Sequence, residues 1–178
     1  MLRKAAVTLG GTLLPTLAIA APDMQAKAFM DIYSSHCLKY LHDFGGLRKQ
    51  LKAAPELAAD KAAVFLKGAR GKAWILPHPQ GPFVLVLDDD KNLCAVYAKT
   101  MQAAPAQELF QKLVSNAPAP FRSEQKRNTT STVDGASVRT MAYEWTKEGA
   151  PGKPLFGLTV TTSTTSVAQG VATATIGR

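Results

Sequence analysis

The residues of this 178-residue chain that could do chemistry are few, and each group misses the spacing its chemistry needs. Asp88-Asp89-Asp90-Lys91-Asn92 opens like a calcium loop, with oxygen ligands at alternating positions. Such a loop wants glycine at its sixth position and a bidentate glutamate at its twelfth, where this chain has Leu93 and Lys99. A polar hairpin turn accounts for the acids without a metal. Gly68-Ala69-Arg70-Gly71-Lys72 carries two residues between its glycines where a phosphate loop carries four, and Ala73 stands where a hydroxyl ligand belongs. The glycine clamp of RNA-binding domains joins two helices, whereas a strand-like run follows here, so the segment reads as a helix-to-strand turn. The histidines are His36, His42 and His78. The first two sit six apart, about 240° around a helix, and do not converge on a metal. Ser34-Ser35-His36 are neighbours pointing about 100° apart, which presents no serine–histidine dyad. Glu144, alternating between Tyr143 and Trp145, is the acid least explained by a turn or a helix start. Trp74 and Trp145 read first as core and boundary filler. We therefore expect no catalytic, cofactor-binding or metal-binding residue.

The two cysteines, Cys37 and Cys94, are an even count, and the N-terminus places them in an oxidising compartment. Leu2-Arg3-Lys4 is a basic start, residues 5–19 are apolar but broken by Gly10, Gly11 and Pro15, and Ala18-Ile19-Ala20 supplies small residues at a cleavage site. This is the pattern of a secretory signal peptide, and the apolar run falls short of the roughly 20 residues a membrane span requires. No cysteine lies near the cleavage site, so lipid attachment is not expected. The expected organisation is a signal peptide over residues 1–20 and one domain over 21–178, located in the periplasm without an integral membrane anchor. A Cys37–Cys94 disulfide follows from that compartment. Losing Arg3 and Lys4 takes the net charge from +8 to +6, a modest excess carried by no long basic run. Nucleic acid is not an expected partner outside the cytoplasm, while anionic lipid headgroups, cell-wall polymers or an acidic protein are compatible.

The elements that would position these residues are legible from periodicity. Apolar residues from Ala26 to Phe44 recur at steps of three and four, giving an amphipathic helix over 23–44 that Gly45-Gly46 would cap. A short helix over 47–53 follows, then one opened by Pro55 and stopped by Gly68, with Leu57, Ala58, Val64, Phe65 and Leu66 as its buried side. Runs 73–77, 83–88 and 93–99 read as a strand meander whose middle member is apolar on both faces and so central. Cys94, Val96 and Ala98 share a strand face, which lets Cys94 meet the helix bearing Cys37. Ala106, Leu109, Phe110, Leu113 and Val114 mark a further helix. Four strands follow at 121–133, 136–147, 155–165 and 171–176, the first two joined by the hairpin turn Asp134-Gly135. The order α-α-α-β-β-β-α-β-β-β-β makes an α+β fold: a mainly antiparallel sheet with the N-terminal helices and one central helix packed on a face.

Cys37-Leu38, Phe65-Leu66-Lys67-Gly68 with Gly71-Lys72-Ala73-Trp74, and Asn92-Leu93-Cys94-Ala95-Val96-Tyr97 resemble a family of small exported proteobacterial proteins of neisserial type, some of them lipid-anchored. The similarity covers residues 29–114. It implies an exported location and this architecture, and carries no functional residue. The expected function is a non-enzymatic periplasmic protein-binding domain, an immunity-type inhibitor or envelope assembly accessory whose partner is another envelope or exported protein. A long Thr-rich strand at 155–165 is the expected pairing edge. The alternatives are a small envelope hydrolase built on His36, His78 or Glu144, and a carrier of an apolar ligand between helices and sheet. No oligomeric state is specified.

Overall fold

The computed structural model describes residues 24–177. The signal peptide expected over residues 1–20 lies outside them. Four helices and seven strands follow one another in the expected order: α1 (Met24–Ile32), α2 (Phe44–Gln50), α3 (Ala59–Leu66), β1 (Gly71–Leu76), β2 (Phe83–Asp88), β3 (Leu93–Ala98), α4 (Ala103–Ser115), β4 (Arg122–Val133), β5 (Ala136–Thr146), β6 (Lys153–Thr161) and β7 (Gly170–Gly177). The strands form one antiparallel sheet in the order β1-β2-β3-β7-β6-β5-β4. Two meanders thus run inward from opposite edges and meet where β7 pairs with β3. α4 is the crossover that carries the chain from the middle of the sheet to its far edge.

One sheet face is covered by α1, its continuation and α4. Phe29, Tyr33, Phe83, Phe110 and Phe156 fill that layer as fully buried side chains. Tyr33 donates its hydroxyl to the Thr173 carbonyl of β7 at 2.8 Å, and its burial pushes the phenol well above its usual range. Residues Tyr33–Leu38 leave α-helical geometry for a π-helical stretch, with the Lys39 N–H bonded to the Ser34 carbonyl five residues back. Tyr33 and Cys37, four residues apart, share the buried side of this stretch. Cys37 reaches Cys94 of β3 in a disulfide with 5.4 Å between Cα atoms.

Three sequence-based expectations give way. The long first helix ends before residue 44, and Gly45-Gly46 begins α2 instead of capping α1. The Asp43 carboxylate is the cause, because it accepts the Gly46 N–H at 2.8 Å as an N-cap. Pro55 opens no helix: the Leu57 N–H bonds the Ala73 carbonyl and the Ile75 N–H bonds the Pro55 carbonyl, both at 2.8 Å, so residues 55–57 lie along β1. A proline, with no N–H to offer, suits such an edge. α3 then packs on the face opposite the other helices, burying Ala62 over Ala73, Val86 and Ala95. Its contact side excludes Val64, which stays half exposed. Because α3 takes the second face, β2 is covered on both, as its two-sided apolar pattern required.

Candidate functional site

The motifs of the sequence pair with one another. In the β2–β3 turn the Asp88 carboxylate accepts the Lys91 N–H at 3.0 Å. Asp89 pairs with Arg48 of α2. Asp90 accepts Arg70 twice, from its backbone N–H at 2.8 Å and its Nε at 2.7 Å. Those two hydrogen bonds hold the Asp90 carboxyl below its ordinary value. The acidic run and the Gly-rich turn are therefore two halves of one latch between β1 and the β2–β3 turn. Gly71 begins β1 where a Cβ would meet the Leu87 carbonyl oxygen at 2.1 Å, so its glycine serves strand approach and no phosphate.

The other candidates stand apart. His36 Nδ1 lies 3.0 Å from the Ile32 carbonyl and from Ser35 Oγ, inside its own helical segment. His78 Nδ1 accepts the Gln80 N–H at 3.1 Å in the β1–β2 loop, its ring edge-on to Phe83. His42 lines a shallow pocket with Phe121 and residues 147–152. Glu144 points to the sheet face opposite α4, between Lys126 at 3.7 Å and Lys153 at 3.5 Å. No three acidic, histidine or cysteine side chains among the described residues group as metal ligands. Trp74 is buried. Trp145 packs edge-on against Phe156 and donates Nε1 to the Val114 carbonyl at the end of α4, so both tryptophans serve packing.

What the sheet leaves open is an edge. β1 is closed by residues 55–57, reinforced by the Lys72–Glu56 ion pair at 2.9 Å. At the other end β4 has β5 on one side and, among the described residues, no strand on the other. All but one of its twelve residues are exposed. Side-chain ties hold it as far as Asn128: Ser123 Oγ donates to the Val114 carbonyl, Gln125 Nε2 to the Tyr143 hydroxyl, and Arg139 of β5 bridges Asn128 to Gln107 of α4. A bulge falls at Lys126, where the ladder steps from Gln125 to Arg127. Lys126 sits 2.8 Å from Glu124, whose carboxylate raises its pKa. The second half, Arg127 to Val133, carries six polar side chains before its one apolar residue.

No family model, curated protein or solved structure matches this chain. What the edge can do has to follow from its own chemistry. An exposed strand edge presents a row of backbone N–H and C=O groups to any extended segment. The Thr-rich run expected to form that edge does not: Thr159 to Thr161 end β6 inside the sheet, and the chain turns away at Thr162, whose Oγ1 accepts the Ser137 N–H. The signal for β4 was present in its sequence, since neither alternating face from Arg122 to Thr132 holds an apolar residue. A strand polar on both faces belongs at an edge.

Proposed function

We propose that this chain is a non-enzymatic, exported protein-binding domain that takes an extended segment of a partner protein onto the free edge of β4. The single observation that carries the reading is a twelve-residue edge strand left bare while the opposite edge is closed by the chain itself. Short or covered edges and charged bulges are defences against unwanted pairing; β4 is long and uncovered by the described residues, and beyond the bulge at Lys126 its ladder runs unbroken from Arg127 to Val133. Arg122, Lys126 and Arg127 against Glu124 favour an acidic segment. The buried Cys37–Cys94 disulfide supports an oxidising compartment, which together with the N-terminal sequence pattern favours the periplasm. No helix among the described residues is long and apolar enough to cross a membrane. In that setting the partner is another envelope or exported protein, and the domain acts as an immunity-type inhibitor or an assembly accessory. The hydrolase alternative draws no support from His36, His78 and Glu144, which sit on a helix, in a loop and on an outward strand face.

The test uses proline on the edge. Consecutive strand residues send their N–H groups to opposite sides, so of Thr129→Pro and Thr130→Pro one blocks the free edge and the other breaks the ladder to β5. A partner captured from the periplasm should be lost with the edge-blocking variant, whose circular dichroism stays native, and should crosslink to photoreactive side chains placed along β4. Undiminished capture by that variant, or crosslinks elsewhere only, would refute strand addition.

A further inference from the structure

On the sheet face away from α1 and α4, a groove of about 390 Å³ runs between α3, the open face of β1–β3 and the loop joining β6 to β7. Phe65, Ile75, Val84 and Tyr97 form its floor, and Val64 and Val167 form opposite banks. These two valines are 50% and 53% exposed, among the most exposed large apolar side chains described. Leaving two branched apolar side chains half in water on either side of one slot is costly unless something covers them.

Charge narrows what that is. The cations lining the groove are Lys61 and Lys99, and no acid among the described residues lines it. Lys61 sits three and four residues before Val64 and Phe65, hence on the same side of α3, and it makes no ion pair among the described residues. Lys99 spends one N–H on the Ser166 carbonyl at 2.7 Å, beside Val167, which positions the ammonium and leaves two of its three donors free. The volume lies at the low end of small-molecule sites, about 300 to 1,000 Å³. It is too slight to seat a helix, which is about 10 Å across, and it suits one hydrocarbon chain.

We propose that this groove binds the acyl chain of a single-chain anionic amphiphile, a long-chain fatty acid, with its carboxylate held by Lys61 or Lys99. The layer between α1, α4 and the sheet is filled by its own aromatic side chains, so the chain lies under α3, far from the β4 edge and independent of it.

The test titrates the purified protein with monomeric hexadecanoate and follows methyl resonances by NMR. Saturable shifts at Val64, Ile75, Val84 and Val167 are expected. Exposed ion pairs contribute modestly to binding, and Lys61→Glu with Lys99→Glu together should weaken binding about tenfold. Hexadecyltrimethylammonium, with the same tail and a positive head, should bind the unaltered protein at least tenfold more weakly and recover on the reversed variant. Val64→Asp, at an exposed position, should abolish the shifts while the circular dichroism stays native. Absence of saturable shifts, shifts confined to the layer under α1 and α4, equal binding of both head groups, or binding to phosphatidylglycerol vesicles without binding of monomeric hexadecanoate would each overturn the proposal.

Discussion

Asp90 and Arg70 join two turns through a pair of charge-assisted hydrogen bonds that weaken once the carboxyl is protonated. Because the folded state holds Asp90 below its ordinary value, its contribution is complete above the unfolded aspartate pKa of about 3.9 and is lost as pH falls below that towards the depressed folded value. Asp90→Asn should therefore lower the urea midpoint by a constant amount between pH 7 and pH 5, and the gap to the unaltered protein should close below about pH 4. A gap independent of pH would show that the latch works through shape alone. The two glycines of α2 make a sharper contrast within one helical turn. A Cβ on Gly46 would meet Asp43 Oδ2 at 2.3 Å and displace the cap, whereas on Gly45 its nearest neighbour is Asp43 Oδ1 at 3.4 Å. Gly46→Ala should cost about 1 kcal/mol, the usual worth of an N-cap. Gly45→Ala should be neutral or stabilising by up to about 1 kcal/mol, because alanine restricts the unfolded chain and favours helix. Chemical denaturation of the two variants checks both signs.

α4 owes its C-terminal anchorage to other elements. The Val114 carbonyl, on a fully buried residue, receives both Ser123 Oγ of β4 at 2.8 Å and Trp145 Nε1 of β5 at 2.7 Å. Either donor satisfies the carbonyl, so Ser123→Ala or Trp145→Phe alone should cost about 1 kcal/mol. Together they leave a buried acceptor without a partner and should cost more than their sum, about 3 kcal/mol in all. Additive losses in the double-mutant cycle would mean that water takes over the carbonyl. The same elements show what periodicity can reveal. The stripe from Ala106 to Val114 and the alternation in β1–β3 and β5–β7 were legible because each reports its own buried face. Gly45-Gly46 was ambiguous because the same residues fit a helix end or, once Asp43 caps them, a helix start. The side of the sheet that α3 chooses depends on where β1–β3 lie, which no local pattern encodes, and so the groove beneath it was hidden and Val64 was assigned to the core. The edge was in plain sight in the polar sequence of β4, but strand order, set by the pairing of β3 with the C-terminal β7, was needed to tell β4 from the Thr-rich β6.

At the scale of the whole molecule, the two meanders and the helical layer come together around Cys37 and Cys94. Cys94 sits on β3, paired on one side to Leu87 of β2 and on the other to Ala174 of β7, so the disulfide ties the helical layer to the strand at the junction of the meanders. The bond closes a loop of 57 residues, which on the chain-entropy account contributes about 4 kcal/mol by restricting the unfolded chain. That is a large share of a total that typically lies between about 5 and 15 kcal/mol. Both sulfurs are on fully buried residues, so a reductant gains access only when the core opens. Two outcomes are expected from this arrangement. Cys37→Ala with Cys94→Ala should lose about 4 kcal/mol in urea denaturation. In native buffer with dithiothreitol, thiols should appear at the rate of global unfolding and accelerate with urea along the unfolding limb. Thiols that appear faster than global unfolding, at a rate indifferent to urea, would place the bond in a locally opening segment and remove it from the centre of the fold. If the predicted coupling holds, the chain is marginal while reduced and gains its full stability only on oxidation.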